Sequence, residues 1–129
     1  MKLNSLRVCQ QASDQLDTLK LRTGLTPNIL CRLAFALSLK DSSLPNPDDY
    51  PPDSDRIIDR HTLTGPWDSL FVAFIKERCK QDGLAVDDDT LGTQFKAHIN
   101  RGVLLLHKQT LSLKDLLLLM PLEFRTKEK

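Results

Sequence analysis

The sequence predicts a mainly α fold: a compact bundle of about five helices, with a short N-terminal strand that would give it a ribbon-helix-helix-like start. Three observations carry this expectation. Apolar residues recur at helical spacing in successive stretches. Turn chemistry falls between those stretches, at Gly24, at the prolines after Lys40, at Gly83 and at Pro121. The length of 129 residues, 40% hydrophobic and 27% charged, suits one domain over 1–129 with a sizeable core.

The elements follow in order. Residues 3–8, LNSLRV, are rich in extended-chain formers and are assigned to the strand. From about 10 to 22, Ala12, Leu16 and Leu19 form a helical stripe, and Gly24 stops it as a left-handed cap. Thr26 and Pro27 open a second helix over 27–40, with Pro27 in the first turn where no N–H is needed. This helix, PNILCRLAFALSLK, is apolar almost all round, so it is expected at the centre, covered by its neighbours or by another subunit.

Residues 41–66 form an acidic, proline-rich excursion. Pro45, Pro47, Pro51 and Pro52 rule out a long helix there, and Arg56-Ile57-Ile58 suits a short strand. A third helix spans 67–82, with Trp67, Leu70, Phe71, Phe74, Ile75 and Arg78 or Cys79 on its stripe and Gly83 at its end. A fourth spans 89–107 with Leu91, Phe95, Ile99, Val103 and Leu106 inward. Asp87, Asp88 and Asp89 sit at its positive end. Ser112 to Asp115 resembles a capping box for a last short helix that Pro121 stops. Residues 122–129 are expected to fray.

Several function classes find no support. The chain has neither GxxxxGK[ST] nor GxGxxG, so no cofactor is expected. His61, His98 and His107 lack metal spacing, and Cys9, Cys31 and Cys79 form no CxxC pair. The acidic run 87–89 suits a solvated helix start better than a metal. Nothing assembles an acid, a base and a nucleophile, so the expectation is a protein that is not an enzyme. No apolar run reaches the length of a membrane span and the N-terminus lacks a signal-peptide core, which points to a cytoplasmic protein.

Charge is uneven although the net value is only +1. Residues 1–40 carry six cations (Lys2, Arg7, Lys20, Arg22, Arg32 and Lys40) against Asp14 and Asp17. Residues 41–59 carry six aspartates against Arg56. Solvated charge and helix-end complementation explain such a pattern. A phosphate-binding surface explains it too, and the six cations are the candidate DNA contacts. Aromatic interleaving for single-strand stacking is missing.

Two stretches, LDTLKLRTGLTPNILCRLAFALSL and HTLTGPWDSLFVAFIKER, resemble the DndE family of the bacterial DNA phosphorothioation (DNA sulfur modification) system. The shared features are LK-x-RTGLTPN, C-R-x-A-F-x-L-S-L and the L-T-G before an aromatic-rich helix, across most of 16–80. The resemblance implies a helical, non-catalytic DNA-binding accessory protein. It also implies homotetramers, a preference for nicked double-stranded DNA through surface lysines, and work beside other Dnd modification proteins. It does not align individual contacting lysines.

Other readings of the same residues stay open. A ribbon-helix-helix repressor would aim Asn4 and Arg7 into a major groove. A scaffold would touch only proteins, and a thiol enzyme would use Cys31. The all-round apolar helix 27–40 predicts a symmetric homo-oligomer, broken by a charge at Phe35 or Leu39. The six aspartates of 41–59 are read as a face that repels DNA.

Overall fold

The computed structural model describes residues 1–110. The helix expected from Ser112 and the tail 122–129 lie outside the described residues. The protein is mainly helical, with a two-stranded sheet at one side.

Strand β1 (Ser5–Arg7) turns Leu6 inward and leaves Ser5 and Arg7 exposed, the alternation of a half-buried strand. Its partner is β2 (Ile57–Asp59), antiparallel, with Leu6 opposite Ile58, so the two buried side chains meet on the core face. The RII segment therefore does pair, one residue later than the sequence suggested. The pairing lies within the chain rather than across a two-fold axis, where a ribbon-helix-helix dimer would place it.

Helix α1 (Gln10–Thr23) buries Ala12, Leu16 and Leu19. Gly24 ends it at φ 76°, a left-handed conformation that costs glycine nothing, and its N–H reaches the Lys20 carbonyl at 2.8 Å. Helix α2 (Pro27–Lys40) starts at Thr26 in extended conformation, but the Thr26 side chain makes no capping bond. It buries Leu30, Cys31, Ala34, Phe35 and Ser38 and leaves Ile29 and Leu33 partly exposed.

The excursion is more structured than its prolines suggest. It holds a 3-10 turn at Pro47–Asp49, then β2, then helix α3 (Arg60–Thr64) and a second 3-10 turn at Gly65–Trp67. Asp59 caps α3 by accepting from Thr62 N–H at 3.0 Å. Helix α4 (Asp68–Gln81) turns Phe71, Ile75, Arg78 and Cys79 inward. Trp67, Leu70 and Phe74, expected on the same inward stripe, are about half exposed instead.

Helix α5 (Asp88–Gln109) is the hub, a position expected of α2. It is capped by Asp87, which accepts from Thr90 N–H at 2.8 Å, and it packs against α1, α2 and α4. Its closest neighbour is α2, and a glycine makes this possible. A Cβ on Gly102 would fall 1.9 Å from the Ala34 carbonyl oxygen, so no other residue fits that crossing unmoved. Phe35, Phe71 and Phe95 fill the centre, with ring centroids 5.1 to 6.4 Å apart.

Candidate nucleic-acid interface

The fold sorts the six candidate cations into different surroundings. Lys20 and Arg22 occupy the last turn of α1, where the negative end of the helix favours them. Arg22 donates to the Thr110 carbonyl at 3.5 Å, which brings the end of α1 beside the end of α5. That second helix end carries His107 and Lys108. The result is a basic end of the bundle built from Lys20, Arg22, His107 and Lys108. None of Lys20, Arg22 and Lys108 is paired with a carboxylate among the described residues. Burial and the nearby Arg22 guanidinium both hold His107 below the usual histidine range, so near neutral pH it offers an uncharged imidazole.

The other four cations do not join this end. Arg32 is held by the backbone, donating to the Leu63 and Thr62 carbonyls, and so ties α2 to α3. Arg7 donates to the Ser54 carbonyl at 2.7 Å and stays largely exposed. Lys2 is exposed beside the start of α5, its N–H reaching the Asp88 carbonyl at 3.4 Å. Lys40 is exposed in the last turn of α2. The N-terminal cations thus do not form one patch. Lys108 was missed because charge was counted by segment, whereas this patch combines two helix ends far apart in sequence.

Two arginines are buried: Arg78, which the stripe of 67–82 anticipated, and Arg101, which was missed. Arg78 donates to the carbonyls of Leu39, Asp41 and Ser43 at 2.6 to 3.0 Å and pairs with Asp82. Arg101 donates to the Ser38 carbonyl and hydroxyl at 2.9 Å. Together they satisfy the end of α2 and the start of the excursion, where carbonyls lack intrahelical partners. Ser38 in turn lies 2.8 Å from His98 Nδ1. This serine–histidine contact has the outline of a nucleophile and base, yet both residues are fully buried, which suits a structural network. Cys31 is equally enclosed, and burial pushes its thiol up to about 12, so it is no thiolate near neutral pH.

An apolar groove opens between α2 and α4. It has a volume of about 460 Å³, with Phe35 and Phe71 among its lining and Ala36, Leu39, Trp67, Leu70 and Phe74 alongside. Among the described residues, no group of three or more metal-ligating side chains is present, and no helix is long and apolar enough to cross a membrane.

Comparison with known proteins places this geometry. A family model described as "DNA sulphur modification protein DndE" matches residues 5–114. The crystal structure of DndE from Escherichia coli B7A, described as involved in DNA phosphorothioation modification, is 30% identical. It superposes with a TM-score of 0.67 over 82% of this chain and 98% of that one. A DndE mutant with two glycines replaced by lysine, also described as involved in DNA phosphorothioation, is 27% identical. Its TM-score is 0.65 over 82% of this chain and 99% of that one. No curated protein matches the chain significantly.

Proposed function

Because the chain belongs to the DndE family of DNA sulphur modification proteins, we propose that it is a non-catalytic, DNA-binding component of a phosphorothioation apparatus. It acts in the cytoplasm as a single domain beside the other modification proteins and binds double-stranded DNA, nicked duplexes included. The observation that carries this reading is the basic end of the bundle, where Lys20, Arg22 and Lys108 project without carboxylate partners among the described residues. Such cations attract phosphates and release counterions on contact. The enclosed Cys31 and the buried Ser38–His98 contact support a binding role over a covalent one.

Assembly completes the proposal. A net charge of +1 is little to hold a polyanion, but a closed oligomer repeats the basic end on one particle. The groove between α2 and α4, with Trp67, Leu70 and Phe74 on its lip and Ile29 and Leu33 exposed on α2, is the apolar surface such an oligomer would cover. A homotetramer is the state we propose.

Gel-shift titration of intact and nicked duplexes across a salt series tests the reading. Affinity should fall steeply with salt, in proportion to the phosphates contacted. Failure to bind either duplex at low salt, with the other modification proteins still captured, would replace it with a protein-only scaffold.

A further inference from the structure

A second cationic site lies away from the basic end, in a cavity of about 190 Å³ between α5 and the 3-10 turn at Pro47–Asp49. Arg7, Tyr50, Thr93, Lys96 and Asn100 contribute its polar lining. Local bonds fix its frame. Asn100 accepts from Cys9 N–H at 3.0 Å and donates to the Lys96 carbonyl at 2.9 Å, so the start of α1 is tied to α5. Arg7 spends one edge on the Ser54 carbonyl, leaving the rest of its fork free among the described residues. Lys96 has no carboxylate partner there. Burial raises the Tyr50 hydroxyl above its ordinary range, which keeps its proton available for donation.

Two cations, and two hydroxyls able to donate, thus line one concavity. That excess of positive charge and donors selects an oxyanion. We propose that this cavity binds a phosphate group, held by Arg7 and Lys96 and oriented by the hydroxyls of Tyr50 and Thr93. The phosphate comes either from the end of a DNA strand or from free phosphate. The first source rests on the DNA-binding reading above; the second does not. Asp48 and Asp49 stand exposed on the neighbouring turn and disfavour the broad backbone of an uninterrupted duplex, so a single protruding phosphate fits the site better.

Titration of the protein with inorganic phosphate, followed by amide NMR at constant ionic strength against chloride, tests the site. Shifts should centre on Tyr50 and on residues 93–100, and Lys96→Gln should weaken binding about tenfold. Tyr50→Phe should weaken it less and, having kept the ring, should fold normally. No shifts beyond those of chloride, or identical titrations in wild type, Lys96→Gln and Arg7→Gln, would overturn the proposal. A second arm compares nicked duplexes ending in a 5′-phosphate or a 5′-hydroxyl. Tighter binding of the phosphorylated end assigns the site to strand termini, and equal binding beside a positive phosphate titration assigns it to free phosphate. Loss of binding to every duplex would remove the DNA reading and leave the phosphate result standing.

Discussion

Ser38 Oγ lies 2.8 Å from His98 Nδ1, and a third residue shares the serine oxygen. Arg101 Nε can only donate, and it does so to Ser38 Oγ at 2.9 Å. Ser38 Oγ thus bridges a buried guanidinium and a buried imidazole, a setting that favours the uncharged ring. Burial, reinforced by Arg78 and Arg101 and only partly offset by Asp41, pushes the His98 pKa down to about 3.

Acid should therefore destabilise this protein before most carboxylates titrate. A histidine with a lowered folded pKa favours the native state fully above its unfolded value near 6.5. That advantage is lost as pH falls towards 3, because the unfolded chain takes the proton and the native one does not. The expected slope is about 1.4 kcal/mol per pH unit for this one proton. His107, also lowered, adds in the same direction. The lowered Asp41, Asp59, Asp68 and Asp87 act only below the ordinary aspartate range. Urea midpoints between pH 7 and pH 4.5 check this, and a His98→Gln protein should show a flatter profile.

Gly102→Ala should be strongly destabilising. The added methyl would meet the backbone of Ala34, not a side chain that can rotate away, so α2 and α5 must separate. Overpacking of this kind costs about 3 kcal/mol or more where backbone has to move. Chemical denaturation would show a lower midpoint, whereas Gly92→Ala, whose nearest neighbour lies at 3.3 Å, should lose much less.

Charge reversal at the basic end should weaken DNA binding without harming the fold. Lys20→Glu and Lys108→Glu lie at exposed positions. For every phosphate that a variant no longer neutralises, the slope of log affinity against log salt should become shallower by about 0.9. Lys40→Glu is the control, since Lys40 stands at the other end of α2. A gel-shift salt series on the three proteins, with circular dichroism to confirm folding, decides between the basic end and a diffuse charge effect.

These expectations show where the sequence was informative. The stripes and stops placed 10–22, 27–40, 67–82 and 89–107 within two residues of α1, α2, α4 and α5, because Gly24, Thr26-Pro27, Gly83 and Asp87 are local signals with local causes. The hub was not legible. What puts α5 at the centre is Gly102 facing Ala34, and a small residue leaves no mark on a hydrophobic stripe. Helix α3 was hidden because its five residues are too few for periodicity, although Asp59 and Thr62 carried its cap. The family was legible from RTGLTPN and its neighbours, but the basic end was not, since the ends of α1 and α5 come together only through packing, at Arg22 and Thr110.

A charge at Phe35 was expected to break the assembly, but Phe35 is 1% exposed among Phe71 and Phe95, so a charge there would unfold the monomer first. Phe74 is the sharper probe. It is 47% exposed on the lip of the groove, next to Leu70 and across from Leu39, and glutamate there should leave the core intact. If copies of the chain cover the groove, Phe74→Glu and Leu39→Glu should both shift the particle towards monomer in sedimentation at micromolar concentration; near-native thermal stability of the dissociated chain is expected of Phe74→Glu, since Leu39 also packs against the core. DNA affinity should fall with them, even though the substituted residues lie outside the basic end, because the repeated cations no longer act together. A wild type that sediments as a monomer would reject the assembly. Dissociation with undiminished DNA affinity would show that one basic end suffices, and that the oligomer serves something other than avidity.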